Sequence, residues 1–464
     1  MSSAAVVLAA GKGTRFRSDR AKVLHTVAGR TVLRWVLEAL RPLALERVVV
    51  VVGHQADAVQ AEAAAAGLDG LAFAHQEVQR GTGHAVRCAV DQGALEGIDT
   101  VMVLPGDVPL LQPAPLRALV DGTAGNAATI LSFEATDPAG YGRIVRDAAG
   151  QVTSIVEHRD ADERQRRIGE VNSAIYAFDA KALVEQLHAL AADNDQGEEY
   201  LTDVIAPLVP RGVGAVVAPA EIVAGVNDRV QLADAGAVLR RRVLDDLMRA
   251  GVTVIDPSAT YVEAGVEVGV DAVLRPGTHL EGSTTVAAGA EIGPNARVVD
   301  TSVGERAVIA YSVVTGAEVG PQATVGPYTH LRPGTVLGRG AKAGEFVGMK
   351  NAVIGEGAKV PHLSYVGDAD IGAGANIGAA TVTVNYDGFS KHRTIVGPGA
   401  RIGSDTMLVA PVTIGAEAYT GAGSVITTDV PDGALAVERT EQRIIEGYAE
   451  RKRARSERPR EDRG

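Results

Sequence analysis

Three groups of residues in this sequence carry types and spacings that can do chemistry. The first is the run Leu8-Ala9-Ala10-Gly11-Lys12-Gly13-Thr14-Arg15, with Lys22 close behind. Small and glycine residues at the end of a first strand let a base or phosphate approach the backbone, whose free amides and neighbouring cations favour anions. It is not a Walker loop, because Val6 stands where the first glycine belongs, and Phe16 breaks a dinucleotide-binding Gly-x-Gly-x-x-Gly. The second is Gly106-Asp107-Val108-Pro109, which follows an apolar strand at the point where open parallel sheets hold ligands. The third is a polar set of Arg332, Lys350, His362, Tyr365, Asn376, Asn385, Tyr386 and Lys391. A mere spacer would not need such a set, although an ordinary solvated surface could contain it. Spacing alone leaves both readings open.

The elements that must position these residues differ between the two halves. In the first half, apolar strands at 4–10, 48–52, 71–74, 100–104 and 128–133 alternate with helices at 31–40, 56–66 and 83–90 and another opening at Pro113. That alternation predicts a mostly parallel sheet covered on both faces. Segments 142–145 and 152–157 read as antiparallel additions, and 227–250 as a connecting helix. In the second half an aliphatic residue recurs every six positions, at Val268, Leu274, Leu280, Val286, Ile292 and Val298, again from Val319 to Leu337 and from Val396 to Ile414. Neither a helical period of 3.6 nor a strand period of 2 fits it. Hexapeptide repeats do: the aliphatic residue faces the axis of a prism, glycine takes the corner angles, and about 18 residues complete a coil. Residues 262–428 would build about nine coils, interrupted by a polar loop at 385–393. The expected divisions are 1–226, a linker helix 227–254, a β-helix 255–440, and a solvated charged tail 441–464.

Composition narrows the function. The net charge of -12 argues against a general nucleic-acid binder, and no apolar run approaches a membrane span of about 20 residues. The single cysteine, Cys88, excludes an internal disulfide and reads as a small packed residue on a helix face rather than a catalytic thiol. With no secretory leader pattern, a soluble cytoplasmic protein is expected.

The first run resembles the signature loop of sugar-phosphate nucleotidyltransferases, Leu-Ala-Ala-Gly-x-Gly-Thr-Arg followed by Pro-Lys, with Ala21 in place of the proline. The resemblance continues through Gln76, Gly81-Thr82-Gly83, Gly106-Asp107, Gly140-Tyr141-Gly142-Arg143, Glu157-His158, Asn172 and Gly225-Val226-Asn227. From Val6 to about Arg439 the chain resembles the family of bacterial bifunctional N-acetylglucosamine-1-phosphate uridyltransferases and glucosamine-1-phosphate acetyltransferases. That family's fold is an α/β nucleotidyltransferase domain, Rossmann-like with a mostly parallel sheet, followed by a left-handed parallel β-helix of hexapeptide repeats.

The resemblance implies that Leu8, Ala9, Gly11, Gln76, Gly81 and Thr82 hold UTP and that Arg15 and Lys22 neutralise its phosphates. It implies Mg2+ on Asp107 and Asn227, and the sugar on Gly142, Glu157 and Asn172, with Asn227 also at the UDP-sugar. In the β-helix it implies Arg332, Lys350 and Lys391 on the phosphate of glucosamine 1-phosphate, Tyr365 and Asn376 on its sugar, and acetyl-CoA along Ala379, Asn385, Tyr386, Ser404, Ala422 and Arg439. An amine attacks a thioester only as its free base, and a histidine with an ordinary pKa of about 6.5 can take that proton, so His362 is the candidate base. The same resemblance implies a homotrimer with acetyl sites shared between neighbours, while charge and hydropathy lead to the expectation of no nucleic-acid or membrane partner. One departure stands out: Gly348 occupies a position where relatives often have glutamate, and Glu345 lies three residues earlier. The alternatives are a nucleotidyltransferase whose β-helix is only structural or regulatory, and a regulatory subunit without chemistry.

Overall fold

The computed structural model describes residues 2–190 and 197–456. They divide into two compact units, Met1–Asp246 with Val262–Ala264, and Leu247–Tyr261 with Gly265–Gly464.

The first unit is built on a sheet of β1 (Ser3–Leu8), β2 (Arg47–Val52), β3 (Leu71–His75), β4 (Thr100–Pro105), β5 (Ala128–Glu134), β6 (Arg143–Arg146), β7 (Val152–Val156), β8 (Glu170–Asp179) and β9 (Val213–Val217). Its order is β9-β5-β8-β4-β1-β2-β3, with the β6–β7 pair attached to β8. Strands β1, β2, β3 and β4 are mutually parallel, as are β5 and β9. The β6–β7 pair is antiparallel, as its sequence suggests. Strand β8 has no counterpart among the strands expected from sequence, and it runs antiparallel between β4 and β5. Its alternation is broken by the buried polar residues Asn172 and Ser173 and by a register shift between Asn172 and Ile175.

The central strands are aliphatic on both faces because both are covered. Val48, Val50 and Val52 pack with Leu33 and Leu37 of α1 (Val32–Leu40), whereas Val49 and Val51 pack with Val86 of α3 (Thr82–Asp91) on the opposite side. Helix α2 (Ala56–Ala64) joins the first of these layers through Val59 and Ala63. Thr31 caps α1 by accepting a hydrogen bond from the Arg34 amide at 3.0 Å. A long helix, Arg229–Arg249, covers the expected connecting segment.

The second unit is a left-handed parallel β-helix. Successive coils stack in register, so that Leu274 pairs with Ile292, Ile292 with Ile309 and Ile309 with Val325. The pulse residues Leu274, Leu280, Ile292, Val298, Leu331, Leu408 and Ile414 are fully buried. Val268 is the exception and stays half-exposed. Of the glycines after them, Gly293 and Gly326 take the expected left-handed angles, whereas others act differently. Gly355 has no left-handed backbone; a Cβ there would lie 2.6 Å from the Ala373 amide nitrogen of the next coil. Glycines such as Gly355 and Gly338 permit close stacking, while many left-handed corners hold larger residues such as Tyr311, Tyr328, Phe346 and Leu363. The loop at 385–393 leaves the stack between strands Val382–Val384 and Thr394–Val396. Tail residues Tyr448–Ser456 form an exposed helix; 457–464 lie outside the described residues.

Candidate functional sites

In the first unit the carboxyl ends of β1, β3 and β4 open into a cavity of ≈ 690 Å³. Leu8, Ala9, Gly11, Lys22, Gln76, Gly81, Thr82, Asp107, Glu157 and Asn172 line it. Among the described residues no acceptor meets the amides of Gly11 through Thr14, as an anion cradle requires. Gly13 has φ +59, and a Cβ on it would sit 2.6 Å from Cβ of Lys22, so only glycine lets the loop fold against that lysine. Lys22 pairs with Asp107 and lies 3.4 Å from the Asn227 amide oxygen, which also accepts from Arg15 at 2.7 Å. Arg15 and Asn227 thus stand beside the cavity, joined to its wall through Lys22.

At the other end, Gly142 accepts from the Asn172 amide at 2.9 Å, and a Cβ on Gly142 would lie 3.4 Å from Glu157. Burial raises the Glu157 carboxyl above the ordinary range, with Asp203 and Asp160 adding to the effect against a hydrogen bond from Thr202. Asn172 donates to the buried Tyr176 hydroxyl at 2.7 Å. Tyr176 and Gln79, which also line the cavity, carry no sequence signal that separates them from core or loop residues.

In the β-helix, the close approach of the Lys391 amine and its positive charge hold Lys350 below the ordinary lysine range, and Arg332 adds to this. Arg332 lies over the Tyr365 ring, 5.9 Å from its centroid, with a nitrogen 3.4 Å from the hydroxyl. Three cations gathered in this way, with Asp368 as the carboxylate acting on Lys350, are the arrangement a bound anion would relieve. Asn385 reaches the same place by donating to Asp368 at 2.5 Å, and Asn351 donates to the other carboxylate oxygen at 2.6 Å. Burial opposes ionisation of Asp368, yet these amides together with Lys391 and Lys350 hold its carboxyl below the usual range. Tyr386 points elsewhere: its hydroxyl donates to Gly388 at 2.6 Å, inside the loop.

His362 lies on the neighbouring face. Its strand pairs with Lys342–Glu345 so that Glu345 is its register partner, and Glu345 accepts from Nδ1 at 2.8 Å. The expected acetyl-CoA contacts form a file of corners leading away from it. The Ala380 amide bonds His362, Asp405 bonds Ala379, Gly423 bonds Ser404, and Arg439 bonds the carbonyl of Ala422. Asn376 is on the His362 face, paired with Lys359.

Comparison with known proteins agrees with both halves. A model of the MobA-like NTP transferase domain matches residues 5–204. The chain is 54% identical over 460 residues to the bifunctional protein GlmU of Streptomyces avermitilis, covering 97% of this chain and 95% of that protein. It is 55% identical to the bifunctional protein GlmU of Thermobifida fusca and 49% to that of Corynebacterium glutamicum, in each case across 97% of this chain and 95% of the relative. The chain belongs to the bifunctional GlmU family. As a GlmU-family chain it is an enzyme with acetyltransferase and uridyltransferase activities, and the reading of its β-helix as a purely structural module is not favoured. No described helix of this GlmU-family chain is long and apolar enough to cross a membrane.

Proposed function

We propose that the β-helix transfers acetyl from acetyl-CoA to glucosamine 1-phosphate and that the cavity of the first unit then couples the product to UTP, releasing pyrophosphate and UDP-N-acetylglucosamine. The observation that carries this reading is one chain with two anion sites of different character. One is a nucleotide-sized cavity lined by Lys22; the other is the Arg332, Lys350 and Lys391 cluster, with His362 at the head of a file of small corner residues.

In uridylyl transfer a phosphate oxygen of the sugar attacks the α-phosphorus of UTP and pyrophosphate leaves. Such a reaction needs alignment and charge neutralisation rather than a covalent helper. Lys22 and Arg15 supply cations, Glu157 and Asn172 orient the sugar, and the amides of the glycine-rich run receive phosphate oxygens. Asp107 and Asn227 fit a magnesium site, since a carboxylate and an amide oxygen both converge on the Lys22 ammonium, and Mg2+ takes one or two such ligands with phosphates and water. The ion would supply further neutralisation of phosphate charge.

In acetyl transfer the cation cluster anchors the sugar phosphate, and Tyr365 and Asn376 hold the ring. His362 keeps Nδ1–H on Glu345, leaving Nε2 to take the proton as the amine forms its bond to the acetyl carbon and the thiolate of CoA departs. Glu345 thus stands beside the base, although Gly348 lacks the acid that relatives often carry.

We assign the working form as a cytoplasmic homotrimer. Its support is the exposed column Tyr311, Tyr328 and Phe346, with ring centroids 5.9 and 5.2 Å apart, continued by Leu363 between His362 and Tyr365. Large residues with positive φ cost about 1 kcal/mol each and leave an apolar stripe that a second copy would cover. Mass spectrometry of products from glucosamine 1-phosphate, acetyl-CoA, UTP and Mg2+ tests the assignment. UDP-N-acetylglucosamine is expected, and absence of the acetylated intermediate when UTP is omitted would refute it. Sedimentation reads the trimer.

A further inference from the structure

Behind the cavity wall, against Gln76, stands a histidine to which no role has yet been given. Gln76 is 4% exposed, and its side-chain nitrogen makes two contacts, 3.1 Å to the carbonyl oxygen of Gly81 and 3.0 Å to Nδ1 of His84. A carbonyl oxygen only accepts, so the NH2 end of the amide must face Gly81, and both of its hydrogens are then spent. Among the described residues no donor meets the Gln76 oxygen, which is left as the free polar atom of that side chain in the cavity lining.

His84 lies in the first turn of α3, and its ring must present a lone pair at Nδ1 to accept from Gln76. The proton then sits on Nε2, and one turn later Cys88 places its sulfur 3.7 Å from that nitrogen, a weak acceptor for it. Burial first, then the Arg87 and Arg80 cations, hold the imidazole below the ordinary histidine range, outweighing Glu199 and Asp91. Burial also raises the Cys88 thiol, with Asp91 adding, which keeps it protonated. The neutral ring therefore keeps the tautomer that accepts from Gln76. A flipped amide would set its oxygen against the Gly81 carbonyl and the His84 lone pair together.

We propose that His84 is a positioning residue for nucleotide choice: by holding the Gln76 amide in one orientation, it presents an acceptor to the base and favours a ring edge that donates N–H, as uracil does at N3, over one that accepts there, as cytosine does. This rests on the assignment of Gln76 to the base of UTP.

The test is the ratio of kcat/KM for UTP to that for CTP, with N-acetylglucosamine 1-phosphate as acceptor, in the full chain and its His84→Phe, His84→Asn and Gln76→Ala variants. The thermal unfolding transition of the first unit in the same preparations reports that it is folded, since acetyl transfer belongs to the other unit. His84→Phe keeps a ring without an acceptor and should lower the ratio on the order of three- to tenfold, the worth of one neutral hydrogen bond. His84→Asn, whose oxygen stands in for Nδ1, should restore most of it. A purely structural role would reduce both nucleotides alike, so an unchanged ratio in His84→Phe, with Gln76→Ala collapsing it, overturns the proposal for His84 alone. An unchanged ratio in Gln76→Ala overturns the base assignment beneath it as well.

Discussion

Replacing Asp107 by alanine separates the two activities and tests the phosphate end of the cavity. The carboxylate has two tasks: it pairs with Lys22, and it is the anionic member of the pair of oxygens fitted to a magnesium ion. Breaking a fully buried ion pair costs about 3–5 kcal/mol. Here the side chains keep 16% and 19% of their exposure, so water screens part of the orphaned charge and about 1–2 kcal/mol is expected. That would lower the melting temperature of the first unit by about 2–8 °C. The catalytic loss is larger. Transition-state charge stabilisation of several kcal/mol corresponds to a fall on the order of 10²–10³-fold in uridylyl transfer, read by pyrophosphate release. Acetyl transfer, followed by release of the CoA thiol, should stay within twofold of the parent. Asp107→Asn keeps the shape and a hydrogen bond to Lys22, so it should recover most of the stability and none of the activity. Equal loss of both activities in folded protein, or uridylyl transfer within tenfold of the parent, would refute the reasoning.

His362→Ala should slow acetylation on the order of 10²–10⁴-fold while leaving uridylyl transfer from N-acetylglucosamine 1-phosphate unchanged; a rate within a few-fold of the parent assigns the proton to another group. Gly367→Ala would set a Cβ onto the Tyr365 hydroxyl and 2.9 Å from the Asn385 amide nitrogen, so steady-state kinetics should show acetylation reduced on the order of 10–100-fold with pyrophosphate release intact. Glu157 titrates above its unfolded value, so the folded state holds its proton more tightly, and its contribution to stability, present below about pH 4, is lost as pH rises through the folded pKa. The melting temperature of Glu157→Gln should therefore gain on that of the parent between about pH 4 and pH 7, and a difference that does not change with pH would exclude this cause.

What was legible in the sequence is what local chemistry dictates. The six-residue pulse specifies a coil because each aliphatic residue must reach an axis, and the run of valines in β2 specifies a strand covered on both faces. The glycine-rich run and Gly106-Asp107 could be placed at strand ends because small residues and an acid there have few other uses. Strand β8 escaped because its alternation breaks at Asn172 and Ser173, buried polar residues whose place depends on neighbouring strands. The role of the coil glycines was also hidden, since the clash at Gly355 is with a residue of the next coil. Only tertiary structure decided which side chains meet. Glu345 faces His362 through the register between coils, Lys391 reaches Lys350 because its loop folds back onto the stack, and Gln76 is oriented by a histidine on the following helix. Each of these contacts turns on the hydrogen-bond register between segments distant in sequence or on the path of a loop. A one-residue change in coil length would move every partner, which is why no spacing within a single segment could foretell them.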